Sequence, residues 1–285
     1  MNYHRHSRRL ASLLISAYAL FQVPGAVSAD LDAKTVDAYN QYVRVTEARI
    51  QEELSRPGAF LYLEGLPESQ RSAALASLRK GEIYMEQLHT RGASGKPLAA
   101  PHALIHHWIG AVFVSGASLV QILELVEDYD HHQDFYQPEV VRSQLVKHEG
   151  NNYQIYYRLR KKKVITVTLN TNHDVEYTPV DSTHCHSRSV ATRIAEVANA
   201  DEPGEHEKPI GHDGGFLWRM NSYWRFEEKD QGVYVEVESV SLTRDIPTGL
   251  AWLIKPFITG IPRESLLMTL GSTKSGVARR VHPAS

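Results

Sequence analysis

The sequence predicts an α+β fold: an antiparallel sheet of long strands, a long apolar closing helix, and a helical segment ahead of both. Three observations carry this. From Phe216 to Glu227 the chain alternates strictly, with Phe216, Trp218, Met220, Ser222, Trp224 and Phe226 on one face. Leu217, Arg219, Asn221, Tyr223, Arg225 and Glu227 fall on the other. That period of two belongs to a strand with one dry and one wet face. Between Val140 and Val197, alternating segments follow one another across short connections, which favours antiparallel neighbours. The stretch Leu250 to Leu270 then reads as a helix with Leu250, Leu253, Ile254, Phe257 and Ile258 on one side, kinked or divided at Pro256 and Pro262.

In chain order, Leu31 to Leu54 spaces Val36, Tyr39, Val43, Ile50 and Leu54 as a helix, ended by Arg56-Pro57-Gly58. Pro67 suits the first turn of a second helix running to about Leu78. Glu82 to His89 alternates weakly as a strand, and the Gly/Pro/Ala-rich run 92–101 is the expected internal boundary. Leu104 to Val114 is a buried strand. Gly116 to Tyr136 reads as a helix that ends or bends from Asp130 and stops at Pro138. Strands follow at 140–147, 153–160, 164–170, 175–180 and 188–197, and the polar run 199–213 is an exposed loop. Lys229-Asp230-Gln231-Gly232 turns the chain into the last strand. There Val233, Val235 and Val237 share a face while Val240 and Leu242 take the other, which predicts a bulge near Glu238-Ser239.

With 42% hydrophobic and 22% charged residues in a chain of 285, the composition is that of a globular protein with a real core. Residues 1–29 read as a secretory signal peptide: Arg5, Arg8 and Arg9, then an apolar run, then Val27-Ser28-Ala29 before Asp30. Its removal takes three arginines and no acid, moving the net charge from −2 to −5. The expected location is periplasmic or secreted. No basic run beyond Lys161-Lys162-Lys163 occurs, so nucleic acid is not an expected partner. Cys185 stands alone, so no intrachain disulfide can form. The apolar run 250–261 is broken by Lys255 and a proline, and is no stable membrane span.

The segment His107-Trp108-Ile109-Gly110-Ala111-Val112-Phe113, the helix end Asp128-Tyr129-Asp130, the strand Trp218-Arg219 with Ser222 to Phe226, and Leu242 to Pro247 before the closing helix together resemble the START/SRPBCC superfamily. That group includes START lipid-transfer domains and polyketide cyclases. The resemblance covers roughly three fifths of the chain and implies a helix-grip fold, in which a curved antiparallel sheet wraps the last helix around a hydrophobic cavity. It divides the chain into a signal peptide (1–29), an N-terminal helical extension (30–101) and a helix-grip domain (102–285). Under it the cavity candidates are Trp108, Phe216, Trp218, Met220, Ser222, Trp224, Phe226, Leu250, Ile254 and Phe257, binding a lipid-like hydrophobic molecule. The extension outside the family pattern, residues 31–78, is a candidate surface for an envelope protein partner.

The family has no catalytic motif common to its members. An enzyme of cyclase, dehydratase or hydrolase type is the alternative, with His107, Asp130 or Tyr223 as base and Cys185 a weaker nucleophile. His184-Cys185-His186 offers two ligands on one strand face without a third at known spacing, so no metal is expected. No P-loop, dinucleotide or G-x-S-x-G motif is present, and no cofactor is expected. On the face opposite the aromatics, Arg219 and Arg225 are expected to pair in solvent with Glu236 and Glu238 across the strands.

Overall fold

The computed structural model describes residues 29–163, 165–245 and 251–281. Residues 1–28 of the stretch read as a signal peptide, and Leu250, lie outside these. In order the elements are β1 (Ala29–Asp30), α1 (Ala33–Leu54), a 3-10 turn (Tyr62–Gly65), α2 (Glu68–Arg79), β2 (Tyr84–Gln87), β3 (Ala103–Ser115), α3 (Leu119–Val126), a second 3-10 turn (Tyr129–His131) and α4 (His132–Phe135). Then come β4 (Val140–Glu149), β5 (Asn152–Lys162), β6 (Thr166–Pro179), β7 (His184–Ala198), β8 (His206–Glu207), β9 (His212–Asp213), β10 (Arg219–Lys229), β11 (Gly232–Arg244) and α5 (Ala251–Val281). Nine of the strands form one antiparallel sheet in the order β2-β3-β11-β10-β7-β6-β5-β4, with β8 added beside β7, and β1 and β9 pair separately as a two-stranded sheet. The larger sheet curves, and α5 lies in its concave face. This is the helix-grip arrangement.

Local chemistry sets the helix starts. Asp32 caps α1 by accepting the Thr35 N–H at 2.7 Å. Ser118 and Gln121 form a capping box on α3. The long helix expected over 116–136 is instead divided, because the side chains of its second half have another task. Asp130 accepts the Leu145 N–H and Gln133 accepts the Ser143 N–H, both at 2.9 Å, so this segment covers the free edge of β4.

The concave core joins Val112 of β3, Phe226 of β10, and Val233, Val235 and Val237 of β11 to Ile122 and Leu125 of α3 and Leu266, Leu270 and Val277 of α5. Helix α5 crosses β3 at Gly110, where an added Cβ would stand 2.6 Å from both Leu270 and Met85. No side chain larger than hydrogen fits there.

The convex face corrects two sequence expectations. No bulge occurs near Glu238-Ser239, since β11 keeps unbroken register with both β10 and β3. Val240 and Leu242 change face because that face is also dry: they pack against Tyr39 and Tyr42 of α1. The register breaks fall elsewhere, in β4–β5 and β6–β7. Nor is the face bearing Arg225, Glu236 and Glu238 solvated. Helix α1 and the turn after it cover it, leaving these residues 3%, 1% and 2% exposed.

Burial of charge demands partners, and they come from the N-terminal segment. Arg225 bonds Glu53 at 2.7 Å and lies 3.5 Å from Glu236 across the strands. Glu236 accepts the backbone N–H groups of Tyr62 and Leu63 at 2.9 and 3.3 Å. Glu238 meets His107 Nε2 at 2.6 Å and also pairs with Arg49. Tyr42 completes the chain through His107 Nδ1 at 2.9 Å. Burial pushes the Glu236 carboxyl up to about 7 against the pull of Arg225. Burial opposes ionisation of Glu238 too, but His107 and Arg49 outweigh it and hold that carboxyl below its ordinary value. Replacing Arg225 by Ala strands Glu53 and Glu236, and urea unfolding is expected to show a loss of about 3–5 kcal/mol. A loss below about 1 kcal/mol, the scale of an exposed pair, would show that the network is wet.

Candidate functional site

Strand β10 is buried in the opposite sense to its composition. Its polar-face residues Asn221, Tyr223 and Arg225 are buried, whereas Met220, Ser222 and Trp224 on the aromatic face are only half-buried. Phe226 is sealed in the concave core, and Trp224 stacks on it with ring centroids 5.9 Å apart. The partial exposure therefore begins at Trp224 and runs along the concave face away from that core.

The gap continues across the sheet. Ser222 stands opposite Ser239 of β11 and Ser189 of β7, and Ser239 stands opposite Trp108 of β3. Two-residue periodicity puts all four on the concave side: Ser222 with Trp224, Ser239 with Val237, Ser189 with Cys185, Trp108 with Val112. All four are half-buried. On β11 every other residue from Gly232 to Thr243 is buried, so the opening at Ser239 is a local one. The hydroxyls of Ser189, Ser222 and Ser239 have no hydrogen-bond partner among the described residues. The indole Nε1 of Trp108 is buried and also has none.

Polar aromatic pairs border this half-buried row on the side of the concave core. Tyr129 and Tyr177 share a bond of 2.9 Å, Tyr136 bonds Thr273 of α5 at 3.1 Å, and Tyr157 bonds His132 Nδ1 at 2.7 Å. The other ring nitrogen of His132 lies near the carbonyls of Leu125 and Val126 outside hydrogen-bonding geometry. His173 bonds Thr171 at 3.0 Å and faces the Tyr157 ring. His106, on the Trp108 face of β3, bonds Thr243 at 2.9 Å. Burial lowers His106, His132 and His173 to about 4 and raises the Tyr157 phenol, so these groups are neutral at pH 7. Burial likewise pushes the Cys185 thiol up to about 11, which removes it as a nucleophile. Away from that core, on the same face, Leu159, Val167, Leu169, Ala191, Ile194, Leu217 and Met220 form an apolar cluster.

Of the residues singled out by sequence, Trp108, Met220, Ser222, Trp224 and Phe226 come together on this face. Phe216 precedes β10 and is 37% exposed. Trp218 goes to the other side of the sheet. It lies before the strand alternation begins and packs with Tyr39, Tyr42 and Leu242 beneath α1, its Nε1 donating to Asp213 at 3.0 Å. Ile254 and Phe257 lie within α5, their side chains outside the description. The candidate bases do not gather here. His107 and Tyr223 lie under α1, and Asp130 caps the edge of β4. Sequence reading missed Ser189, Ser239 and His106. The signal for Ser239 was present, because the face of Val233, Val235 and Val237 continues directly into it.

On the convex side, a groove of about 420 Å³ beside α1 is lined by Ile50, Leu54 and Tyr223 together with the charged Glu47, Glu176, Arg188 and Arg225. Among the described residues no cluster of three or more His, Cys, Asp or Glu is placed to hold a metal. No described helix is long and apolar enough to cross a membrane.

No family model matches the chain, and no curated protein does. Solved structures do. The chain is similar to a STAR-related lipid transfer protein from Xanthomonas axonopodis at 17% identity, over 63% of this chain and 96% of that one, with a TM-score of 0.42. It is similar to the Zhui aromatase/cyclase from a Streptomyces species at 12% identity, over 64% and 99%, with a TM-score of 0.43. Human STARD10 matches at 8% identity over 76% and 84%, with a TM-score of 0.40. These are START-domain and aromatase/cyclase structures. At such identities and scores the likeness carries nothing about activity, and the side chains of the site carry the rest.

The buried histidines His106, His132 and His173 also set a pH response. In the unfolded chain each takes up a proton near its ordinary 6.5, in the folded chain only near 4. Between these values the unfolded state holds more protons, so acidification destabilises the fold. Glu236 works the other way, its contribution present below 4.5 and lost as pH rises through about 7. Three rings against one carboxyl predict a urea midpoint that falls from pH 6.5 to 4.5, with a shallower fall in a His132→Gln, His173→Gln variant. A midpoint that rises on acidification would show the rings charged in the folded protein.

Proposed function

We propose that the protein binds a lipid-like apolar molecule between the concave face of the sheet and α5. One observation carries the reading: at the centre of the sheet, where β11 is otherwise buried from Gly232 to Thr243, the half-buried positions Ser189, Ser222, Ser239 and Trp108 line up across four neighbouring strands beside Trp224 and Met220. Aligned exposure on an inward face is the mark of a hollow, and its aromatic and apolar walls suit an apolar guest. Native mass spectrometry followed by solvent extraction is expected to find such a molecule carried through purification. Filling the hollow with Ser222→Phe should abolish binding at little cost in stability. A loss of about 1–3 kcal/mol, as in an overpacked core, would show that no hollow exists.

The His132–Tyr157 pair favours a second reading, catalysis of cyclase, dehydratase or hydrolase type in the same cavity. The phenol and His132 Nδ1 share a hydrogen bond of 2.7 Å, a couple through which a proton could pass to or from a substrate. Conversion of the extracted molecule, lost in Tyr157→Phe with binding intact, would support it; recovery of that molecule unchanged would leave a binder. The export reading of residues 1–29 makes the site of action the periplasm or the exterior. A chain beginning at Asp30 in envelope extracts is the expected finding.

A further inference from the structure

We infer that the molecule held in this hollow carries an uncharged oxygen function, a carbonyl or a hydroxyl, seated on the row Ser189, Ser222, Ser239 and Trp108. The inference rests on the binding reading above and narrows it to a ligand class. A wall meant for hydrocarbon alone would continue the valines of β11. Instead the Val233, Val235, Val237 face turns to serine where the sheet opens, and β7 and β10 place serines at the same level. Each hydroxyl donates one hydrogen bond and accepts others, and an indole N–H only donates. Among the described residues none of these four groups has a partner. The buried Trp108 N–H in particular is left unfavourably placed until an acceptor reaches it.

Charge decides what that acceptor is. Neighbouring strands lie about 4.8 Å apart, so the row runs roughly 14 Å across the concave face. On the sheet its neighbours on that face are Met220, Trp224, Val237, Ser241, Gly110, His106, Ser187 and Ala191, all uncharged at pH 7, and His106 is buried against Thr243. The cations and carboxylates nearest the row, Arg225, Glu236 and Glu238, point the other way, into the network under α1, and Glu228 of β10 lies beyond Phe226, where it accepts the Leu119 N–H at 2.6 Å. Among the described residues no counter-ion stands on the row, so a carboxylate, phosphate or ammonium there would lose its water without compensation, whereas a ketone, ester or alcohol would gain donors and acceptors at little cost.

The test uses phenylnaphthylamine, a neutral apolar fluorophore, as reporter for the full chain. Four competitors of equal length then displace it: an alkane, a primary alcohol, a methyl ketone and a fatty acid. The alcohol and the ketone are expected to compete about tenfold better than the alkane and the fatty acid, the size of one or two hydrogen bonds. The variant Ser189→Ala, Ser222→Ala, Ser239→Ala should keep reporter binding and lose that ranking. Trp108→Phe should weaken the ketone more than the alkane. A fatty acid that competes best, or a ranking unchanged in the triple variant, overturns the inference while leaving apolar binding standing. Failure of the reporter to bind the wild-type chain overturns the binding reading itself.

Discussion

Two carboxylates in the middle of β11 constrain everything laid over them. Glu236 and Glu238 are buried at the centre of the sheet, where an unpaired charge could not persist. Each must be met by specific groups. The groups come from Arg225 and His107 on the flanking strands, and from Arg49 and the Tyr62–Leu63 backbone in the N-terminal segment. An ion network of this kind is a weaker source of stability than an apolar core of the same volume. What it does is fix placement. Turned about its axis, α1 would withdraw Arg49 from Glu238, Glu53 from Arg225 and Glu47 from Tyr223 together.

That placement shapes the other side of the sheet. Because α1 takes up Arg225, Glu236 and Glu238, the concave face around the serine row carries aromatic and aliphatic side chains, and the carboxylate of that face on β10, Glu228, sits at the far end against the start of α3. A sheet covered on one face only would need the apolar side sealed against its helix, since that would be its whole core. Here the second core beneath α1 and a third beneath α2 share the work. The concave face can hold a half-open stretch without exposing the fold to collapse.

Much of this was legible in the residues. The alternation of 216–227 and 233–242, the charged turn at 229–232 and the helix after Asp245 gave strands, pairing and order. The expected partnership of Arg225 with Glu236 is present across the strands. What misled was the inference from polarity to exposure: Arg225, Glu236 and Glu238 read as a wet face, and Val240 with Leu242 read as a break in the strand. Both errors have one cause. Periodicity reports which residues share a face, and says nothing of what covers that face. Trp218 failed for a related reason, since it stands one residue outside the strand whose phase it was given.

The serine row shows the same limit from the other direction. A serine among valines carries little signal alone, and three serines on β7, β10 and β11 are unrelated in sequence until register sets them side by side. By itself the sequence determined the local terms: which segments are strands or helices, where they turn, and which side chains point together. Those follow from backbone sterics and hydrophobic period within a few residues. Only the tertiary structure decided which face is dry, which charges are buried and where the inner wall stays open. Each of these depends on segments brought together from distant parts of the chain.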